Sequence, residues 1–457
     1  MPDICKIVKN LANLRMLSIQ KHTPQLGLFG SLADQLDQKH PLYQLANTIN
    51  WPFFDDAFKK HYSEKMGKPA KPIRLMVSLL ILKFLRNLSD ENLVEHWAEN
   101  IYFQYFSGEQ FFQPNIPCVP TELIAFRQRI GEPGVELILQ EGIRINEPSE
   151  DSNLVSVDTT VQEKNITYPT DDKLYKKIIK KCWKIADKKK IDLRQSYTRV
   201  VKKLGNLQRF KTTKHGAKAA RKANKKIQII AGRLVREIAR KLPLASLGHY
   251  LPALKLYQRV LSQKRGDSDK IYSLHEPDVK CYSKGKEHKK FEFGSKVSIL
   301  VDQNTGIIMG AINFTQTLHD SKTIPAVLEQ YERLNGKEAK DVFVDRGYKG
   351  IKQYKGATIH VPKPDKNISR SKRKKHSRRA AIEPVIGHLK QDYRLCRNYL
   401  HGIIGDNMNV ILAAAAMNFK RRINLWRTEA MRCWLLIYKM IINTYWKFIA
   451  LNFKTTF

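Results

Sequence analysis

The sequence predicts an α/β protein in which a mixed β-sheet is flanked by helices and preceded by a helical stretch. Residues 41 to about 139 carry apolar side chains at helical spacing, with capping signals at the helix starts. From about residue 150, short runs rich in β-branched and aromatic residues alternate with helical segments. A long basic block of helical pattern separates the first of these runs from the second.

The length and composition allow several domains. With 457 residues and 42% hydrophobic content, the chain can form two or three domains with substantial cores. We expect an N-terminal arm over 1–40, a helical domain over 41–148, an α/β domain over 149–424 and an apolar tail over 425–457. The basic helical block, at about 172–268, would be an insertion in the α/β domain.

The charge of the chain is strongly positive. Lysine and arginine number 81 against 43 aspartate and glutamate, which gives a net charge of +38 and a pI of about 9.9. This excess favours a polyanion partner, because Lys and Arg release counterions from phosphates. General solubility and adhesion to anionic lipid are the alternatives. Since the excess accompanies a candidate site for phosphate chemistry, we expect nucleic acid as the partner.

The cysteines and the C-terminal tail indicate in which cellular compartment the protein is expected. Six cysteines are scattered without a CxxC pair or zinc-ligand spacing, which indicates a reduced, intracellular environment. The apolar run after Trp434 is interrupted by Lys439 and Lys447, and it falls short of the ~20 residues that a membrane span needs. We therefore expect no membrane association and an amphipathic terminal helix packed on the body of the protein.

Three helices are predicted in the first part of the chain. Ile73–Leu85 forms a strongly apolar helix after Pro72, and Ser89 is placed to cap the next helix. A third, short helix follows a proline-rich break and carries Arg127 and Arg129. This order is typical of a helix-turn-helix module that contacts DNA through Arg127 and Arg129. An oligomerisation bundle with both arginines on a solvated face is the other interpretation.

The basic block between residues 174 and 263 contains many more lysines and arginines than acidic residues. Its charge density is that expected of a surface that follows phosphates. Leucine, isoleucine and valine recur through it at helical spacing, which predicts a folded helical insertion rather than a disordered tail. A solvated coiled hairpin that bridges subunits is the alternative.

The other elements follow from hydrophobic pattern and turn residues. They are a strand Leu154–Thr160, a hairpin of Phe291–Val301 and Ile307–Phe314, a helix Ser321–Leu334, a strand Val342–Asp345, a short strand Ala357–Val361, a basic loop Ser369–Arg379, a helix that carries Glu383, and a helix from Asn407 to about Ile423.

Three acidic residues form a candidate metal site. Asp158 and Asp345 each end a predicted strand, Glu383 lies on a late helix, and the three can converge at one edge of the sheet. Phosphodiester chemistry must manage an attacking and a leaving oxygen, which two divalent ions can do together. Mg²⁺ and Mn²⁺ are hard ions that prefer oxygen ligands. Each acid alone is weak evidence, because an aspartate after a strand is more often a turn residue.

Three motifs resemble the acidic motifs of DDE transposases from bacterial insertion sequences, in particular the insertion-sequence-5 group of the insertion-sequence-4 superfamily. They are Ser156–Thr160, Val344–Gly350 and Arg379–Lys390. The family's last motif is tyrosine, two residues, arginine, three residues, glutamate, six residues, lysine. Arg379, Glu383 and Lys390 fall on that spacing, and His376 occupies the tyrosine position. The resemblance covers about residues 40–420.

The resemblance implies an RNase H-like catalytic domain after a helical N-terminal domain, with two Mg²⁺ or Mn²⁺ ions held by Asp158, Asp345 and Glu383. It also implies that Arg379 and Lys390 bind phosphates beside the scissile bond, although salt bridges to Glu383 along the helix are the alternative. Further candidates for DNA contact, each with a structural role as the alternative, are Tyr348, His376, Lys284, Lys286 and Lys296.

The function that the resemblance implies is DNA transposition. The protein would cleave double-stranded DNA at the terminal inverted repeats of its element and transfer the strands to target DNA. We expect a homodimer in the cytoplasm, associated with the nucleoid, because two element ends must be held together. A decayed transposase that only binds DNA, and a metal-dependent nuclease without strand transfer, are the alternatives.

Overall fold

The structure, a computed structural model, describes residues 30–63, 67–148, 153–264, 266–283, 289–362 and 369–454. A 7-stranded mixed sheet lies at its centre. The strands are β1 Leu154–Glu163, β2 Lys280–Ser283, β3 Phe291–Asp302, β4 Ile308–Phe314, β5 Asp341–Phe343, β6 Gln353–Tyr354 and β7 Ala357–His360. Their order is β2-β3-β1-β5-β7-β6, and β4 also pairs with β3. The predicted α/β class with a mixed sheet is confirmed.

Strand β1 lies between a parallel and an antiparallel neighbour. It pairs antiparallel with β3 and parallel with β5. The parallel register pairs Ser156 with Phe343. Asp158 lies two residues after Ser156, and Asp345 lies two residues after Phe343. The pairing of β1 with β5 therefore places these two aspartates at the same level of the sheet, as the sequence predicts.

One glycine is required for the pairing of β3 with β1. Gly294 lies opposite Glu163. A Cβ atom at this position would lie 1.8 Å from the carbonyl oxygen of Gln162. No residue with a side chain fits at that distance, so β3 can approach β1 only through this glycine.

A series of helices precedes the sheet in the described part of the chain. They are α1 Leu32–Gln35, α2 Pro41–Thr48, α3 Trp51–Phe58, α4 Ile73–Leu85, α5 Asp90–Glu99, α6 Ile101–Phe106 and α7 Pro120–Arg144. Ser89 caps α5 as predicted, since its Oγ accepts a hydrogen bond from the backbone N–H of Asn92 at 3.1 Å. Helix α7 is longer than predicted and bends at Gly131, where φ is 63°.

The basic block folds into helices α8 Asp171–Lys188, α9 Thr198–Leu207, α10 Gly216–Lys241 and α11 Leu244–Ser262. Fully buried apolar residues from α8 and α10, such as Ile178, Ile227 and Leu234, form a core of their own. The block is therefore helical and has its own core, to which more than two helices contribute, unlike a simple coiled hairpin.

The remaining helices are α12 Ile324–Asn335, α13 Arg370–Arg378, α14 Ile382–Asp392 and α15 Gly402–Lys454. The prediction of a basic loop over Ser369–Arg379 is wrong, because most of it is helix α13. Unbranched lysine and arginine side chains favour a helix, and the Ser369 Oγ accepts a hydrogen bond from the Lys372 N–H at 3.3 Å. The loop prediction depends on apolar periodicity, which contains no information on helix propensity or on the cap from Ser369.

Helix α15 continues far beyond its predicted end at Ile423. Its first part is buried, and the Asn418 side chain bonds the N–H and the C=O of Ile308 at 3.0 and 2.8 Å. Met431 and Trp434 are 64% and 62% exposed, so the predicted packing of the tail on the body is wrong for this part of α15. Within the described part of the chain, no helix combines the length and apolar character that crossing a membrane requires.

A single hydrophobic core joins the early helices, the sheet and α15. Phe54 and Leu80 belong to it from the helices, Val157 and Val342 from the sheet, and Ala414 from α15. The sheet is therefore supported by packed helices. This support gives Asp158, within β1, and Asp345, just after β5, a rigid frame.

Candidate active site

Two aspartates lie side by side where β1 and β5 run in parallel. Asp345 follows β5 and caps a short 3₁₀ turn over Arg346–Tyr348, because its Oδ1 accepts a hydrogen bond from the Gly347 N–H at 2.8 Å. The Asp158 Oδ1 accepts a hydrogen bond from the backbone N–H of Thr159 at 2.7 Å. Each carboxylate is therefore oriented by the backbone next to it.

A guanidinium group links the first and the third of the predicted acids. Arg379 Nη1 lies 3.7 Å from Asp158 Oδ2, and Arg379 Nη2 lies 3.3 Å from Glu383 Oε1. Arg379 begins a 3₁₀ turn between α13 and α14, one helical turn before Glu383. The salt bridge between Arg379 and Glu383, one of the two alternatives raised by the sequence, is present. The sequence does not predict the second contact of Arg379, the one with Asp158.

The donor atoms at this site suit a hard divalent ion. Asp158, Asp345 and Glu383 offer carboxylate oxygens, which Mg²⁺ and Mn²⁺ prefer. Among the residues that the structure describes, however, no three Asp, Glu, His or Cys side chains are arranged to hold a metal ion. The Glu383 side chain is 63% exposed and pairs with Arg379. A site built from all three acids therefore requires a rearrangement of Glu383 and Arg379.

A fourth carboxylate, that of Asp320, lies beside Asp345. Its Oδ1 accepts hydrogen bonds from Thr159 Oγ1 at 2.7 Å and from Lys296 Nζ at 2.8 Å. A Cβ at Gly347 would lie 3.0 Å from Asp345 Oδ1 and 3.3 Å from Asp320 Oδ2, so both carboxylates face this glycine. Burial raises the pKa of Asp320, but the hydrogen bonds from Lys296 and Thr159 outweigh it and leave the pKa below its usual value.

The sequence does not identify Asp320 as a site residue and predicts only the helix Ser321–Leu334 that follows it. Lys296, a candidate for DNA contact, is 15% exposed and bonds Asp320 and the carbonyl oxygen of Leu318 at 2.8 and 2.6 Å. Its ammonium group therefore neutralises a carboxylate of the site. The contact joins residues 24 positions apart, and no local pattern marks it.

Tyr348 lies against the carboxylates instead of on the surface. Its side chain is fully buried. Burial raises its pKa well above the usual value, and the charges of Asp158 and Asp320 raise it further. The phenol therefore stays neutral among these acids. This placement leaves no surface of the ring for stacking on a DNA base.

His376 and Lys390 lie on α13 and α14, the helices before and after Arg379. His376, on α13, packs edge-on against Phe343 with ring centroids 5.1 Å apart, and its ring lies 6.4 Å from that of His360. Burial lowers the pKa of His376. Its ring therefore packs against the sheet. Lys390 is half-buried on α14, seven residues after Glu383.

The two arginines of α7 do not both face solvent. Arg127 is 4% exposed, and its guanidinium donates to both oxygens of Asp90 at 2.8 and 2.7 Å. Lys83 shares this carboxylate at 2.7 Å. Burial alone would raise the pKa of Asp90, but these two cations lower it to about 2. The interpretation that Arg127 lies on a solvated face is therefore wrong. Its guanidinium, the group that would contact DNA, is paired with Asp90. Arg129 lies over the Tyr62 ring at 4.9 Å.

A basic cavity lies between α13 and the start of β1. Its volume is about 440 Å³. The residues that line it are Asn153, Leu154, Asn304, Lys340, Asp341, Ser371, Lys374, Lys375 and Arg378. Lys284 and Lys286, which the sequence places along a DNA path, lie outside the described residues.

Comparison with known proteins identifies the class to which this fold belongs as that of the transposases. Residues 30–129 match the family described as Transposase domain (DUF772), and residues 259–419 match the Transposase DDE domain. The second match includes Asp345 and Glu383, whereas Asp158 precedes it.

The chain belongs to the DDE transposases. A relative from Rhizobium meliloti, described as uncharacterized protein ORF8 in nfe locus, is 40% identical over 189 residues. The match covers 39% of this chain and 91% of the relative. No solved structure matches the chain.

Proposed function

We propose that this transposase cleaves DNA at the terminal inverted repeats of its element and joins the resulting 3′-hydroxyl ends to target DNA. The observation that supports this most directly is the set of three acids. Asp158 on β1 lies level with Asp345, which follows the parallel strand β5, and Arg379 links Asp158 to Glu383. The net charge of +38 suits a DNA substrate.

Each group around the acids has a distinct role in this proposal. Two bound Mg²⁺ or Mn²⁺ ions would supply Lewis-acid stabilisation of the attacking and leaving oxygens. Asp158, Asp345 and Glu383 would hold these ions. Arg379 and Lys390 would orient the phosphates on either side of the bond that is cut, because charged donors bind phosphate oxygens strongly.

The organisation of the chain follows from the same proposal. We assign residues 149–424 to an RNase H-like catalytic domain of the insertion-sequence-5 type, with the helical insertion at 172–268 along the DNA. Residues 41–148 would support dimerisation and DNA contact. A homodimer is expected, since two element ends must be processed together, and its place of action would be the nucleoid in the cytoplasm.

Cleavage of end DNA tests the proposed function. Purified full-length protein is incubated with labelled DNA that carries the repeat bracketing its gene, together with unlabelled target DNA. We expect nicks at the repeat end and joined products, both only with Mg²⁺ or Mn²⁺, because the acids alone cannot neutralise the developing charge. A scrambled repeat is the control. Nicks without joined products would indicate a nuclease, and binding without nicks a decayed transposase.

The basic cavity beside α13 is expected to bind phosphates of the same DNA. Replacing Lys374, Lys375 and Arg378 with alanine removes three of its charges. We expect weaker binding of end DNA and a slope of log K against log salt that is smaller by about 2 to 3, because each lost phosphate contact lowers the slope by about 1. Fluorescence anisotropy at several salt concentrations measures both quantities.

The same helix offers a charge-matched control. Arg370, Lys372 and Arg373 lie on α13 but do not line the cavity. Their replacement by alanine removes the same net charge from the same helix. We expect it to change the slope by less than half as much. Equal slopes for the two triple variants would contradict a specific role of the cavity, and circular dichroism checks that both variants keep their helices.

A further inference from the structure

We propose that Arg379 is a positioning residue that holds Asp158 and Glu383 until a divalent ion and a DNA phosphate displace it. This inference rests on the proposed function and concerns the order in which the site is loaded. In the structure the guanidinium takes up one oxygen of each acid. The same acids are those that would hold the ions. Arg379 therefore competes with the metal for its ligands.

The partial burial of the contact strengthens this competition. The side chains of Arg379 and Asp158 are 17% and 19% exposed, so water screens their attraction only partly. Asp158 lies on the central strand β1, and Arg379 lies in the turn before α14. The Glu383 side chain is 63% exposed. The guanidinium thus holds an exposed carboxylate close to one that lies on the sheet.

A divalent ion and the guanidinium cannot use the same carboxylate oxygens together. An ion that took these same oxygens of Asp158 and Glu383 would displace the guanidinium of Arg379. The helix before it, α13, is rich in lysine and arginine, so a released Arg379 stands among positive charges. A DNA phosphate at the site relieves this repulsion and accepts the planar donor pair of the guanidinium.

Metal binding and DNA binding should consequently strengthen each other. DNA that accepts Arg379 frees the acids for the ion, and the ion frees Arg379 for DNA. Such coupling is reciprocal, so DNA must raise the affinity for the ion by the factor by which the ion raises the affinity for DNA. Without DNA, Arg379 keeps the site from binding ions tightly. The acids then become fully available only when the substrate is in place.

Binding of Mn²⁺ to the full-length protein tests this role without any reaction. Free Mn²⁺ is measured by electron paramagnetic resonance during titration of the wild type, Arg379→Gln and Arg378→Gln. Arg378 is a matched control, because it is the preceding residue, carries the same charge and bonds the Asn304 Oδ1 at 3.1 Å instead of an acid. We expect Arg379→Gln to tighten Mn²⁺ binding by about 5- to 50-fold and Arg378→Gln by less than about 3-fold.

Two further titrations assign the effect to this site. The double variant Asp158→Asn/Arg379→Gln should lose the tightened binding. A duplex that already ends in the 3′-hydroxyl, so that no bond is cut, should tighten Mn²⁺ binding to the wild type by at least about 5-fold and to Arg379→Gln by much less. Thermal unfolding verifies that each variant is folded, and Arg379→Lys, which keeps the charge without the planar fork, should give an intermediate Mn²⁺ affinity.

The outcomes separate this proposal from the proposed function. Equal Mn²⁺ affinities of Arg379→Gln and Arg378→Gln, or tightened binding that survives Asp158→Asn, would overturn the role of Arg379. Weaker Mn²⁺ binding in Arg379→Gln would overturn it as well. If Arg379→Gln alone tightens Mn²⁺ binding but the wild type does not cut end DNA, the role of Arg379 stands and the proposed function fails.

Discussion

Replacing Asp345 with asparagine should lower the rate of end cleavage by on the order of 10³-fold or more. The substitution keeps the size of the side chain and its hydrogen bond from the Gly347 N–H, which the amide oxygen can still accept at the 2.8 Å seen for the carboxylate. It removes the negative charge that faces Asp158 across β1 and β5. The turn over Arg346–Tyr348 should therefore stay intact while the affinity for the ion falls.

A second variant that also loses one negative charge shows whether the fall in cleavage rate is specific to Asp345. Glu332→Gln also removes one carboxylate, which pairs with Lys355 at the surface of α12 at 2.8 Å. Initial cleavage rates at saturating Mg²⁺ are compared for the wild type and both variants. We expect Glu332→Gln to remain within about 3-fold of the wild type, since a surface ion pair contributes little. An Asp345→Asn variant that retained a tenth of the wild-type rate would exclude this aspartate from the reaction.

Replacing Lys164 with alanine should cost about 3–5 kcal/mol of folding free energy. The Lys164 ammonium is 4% exposed and lies 2.5 Å from Asp406 Oδ1 and 3.2 Å from Glu276 Oε2. It joins the end of β1, the segment after the insertion and the first turn of α15. Without it, two buried carboxylates face each other with no cation between them. Urea denaturation followed by tryptophan fluorescence measures the loss.

The pH dependence and a neighbouring lysine make this prediction specific. Burial raises the pKa of Asp406, so its carboxyl binds a proton more tightly in the folded than in the unfolded protein. Protonation therefore favours the folded state, and the loss in Lys164→Ala should shrink as the pH falls from 8 to 5. Lys289→Ala removes the exposed partner of Glu163, next in the chain to Lys164, and should cost at most about 1 kcal/mol. Equal losses in the two variants would contradict the buried role of Lys164.

Local patterns predict much of the fold, because continuous apolar runs between turn and capping residues mark buried strands and helices. Strand β1, the β3–β4 hairpin and α4 carry such runs and are buried along most of their length, and each is found where the sequence predicts it. The same patterns bring Asp158 and Asp345 together, since both follow apolar runs that can pair in parallel. Helix α13 escapes prediction because it has no buried face, and its helical state depends on side-chain propensity and the Ser369 cap.

The contacts around the acids depend on long-range packing that no local pattern contains. Thr159 reaches Asp320 across 161 positions, and Arg379 reaches Asp158 only because α14 packs beside β1. The sequence likewise places Arg127 on a surface, since an arginine at the start of a helix is usually solvated. Its burial results from Asp90, 37 positions earlier, which supplies a bidentate partner. Residue type and spacing therefore identify candidate acids, whereas their neighbours require the fold.

The separate core of the inserted helices has a consequence for how such chains can diverge. Between Asp158 and Asp345 the polypeptide leaves the sheet at β1, forms a self-contained helical unit and returns at β2. The parallel pairing of β1 with β5 alone sets the separation of the two aspartates in space. The excursion can thus lengthen, shorten or acquire new surface charges without altering the spatial relation of the acids. The number of residues between the two aspartates can therefore change while their distance in the folded molecule stays the same.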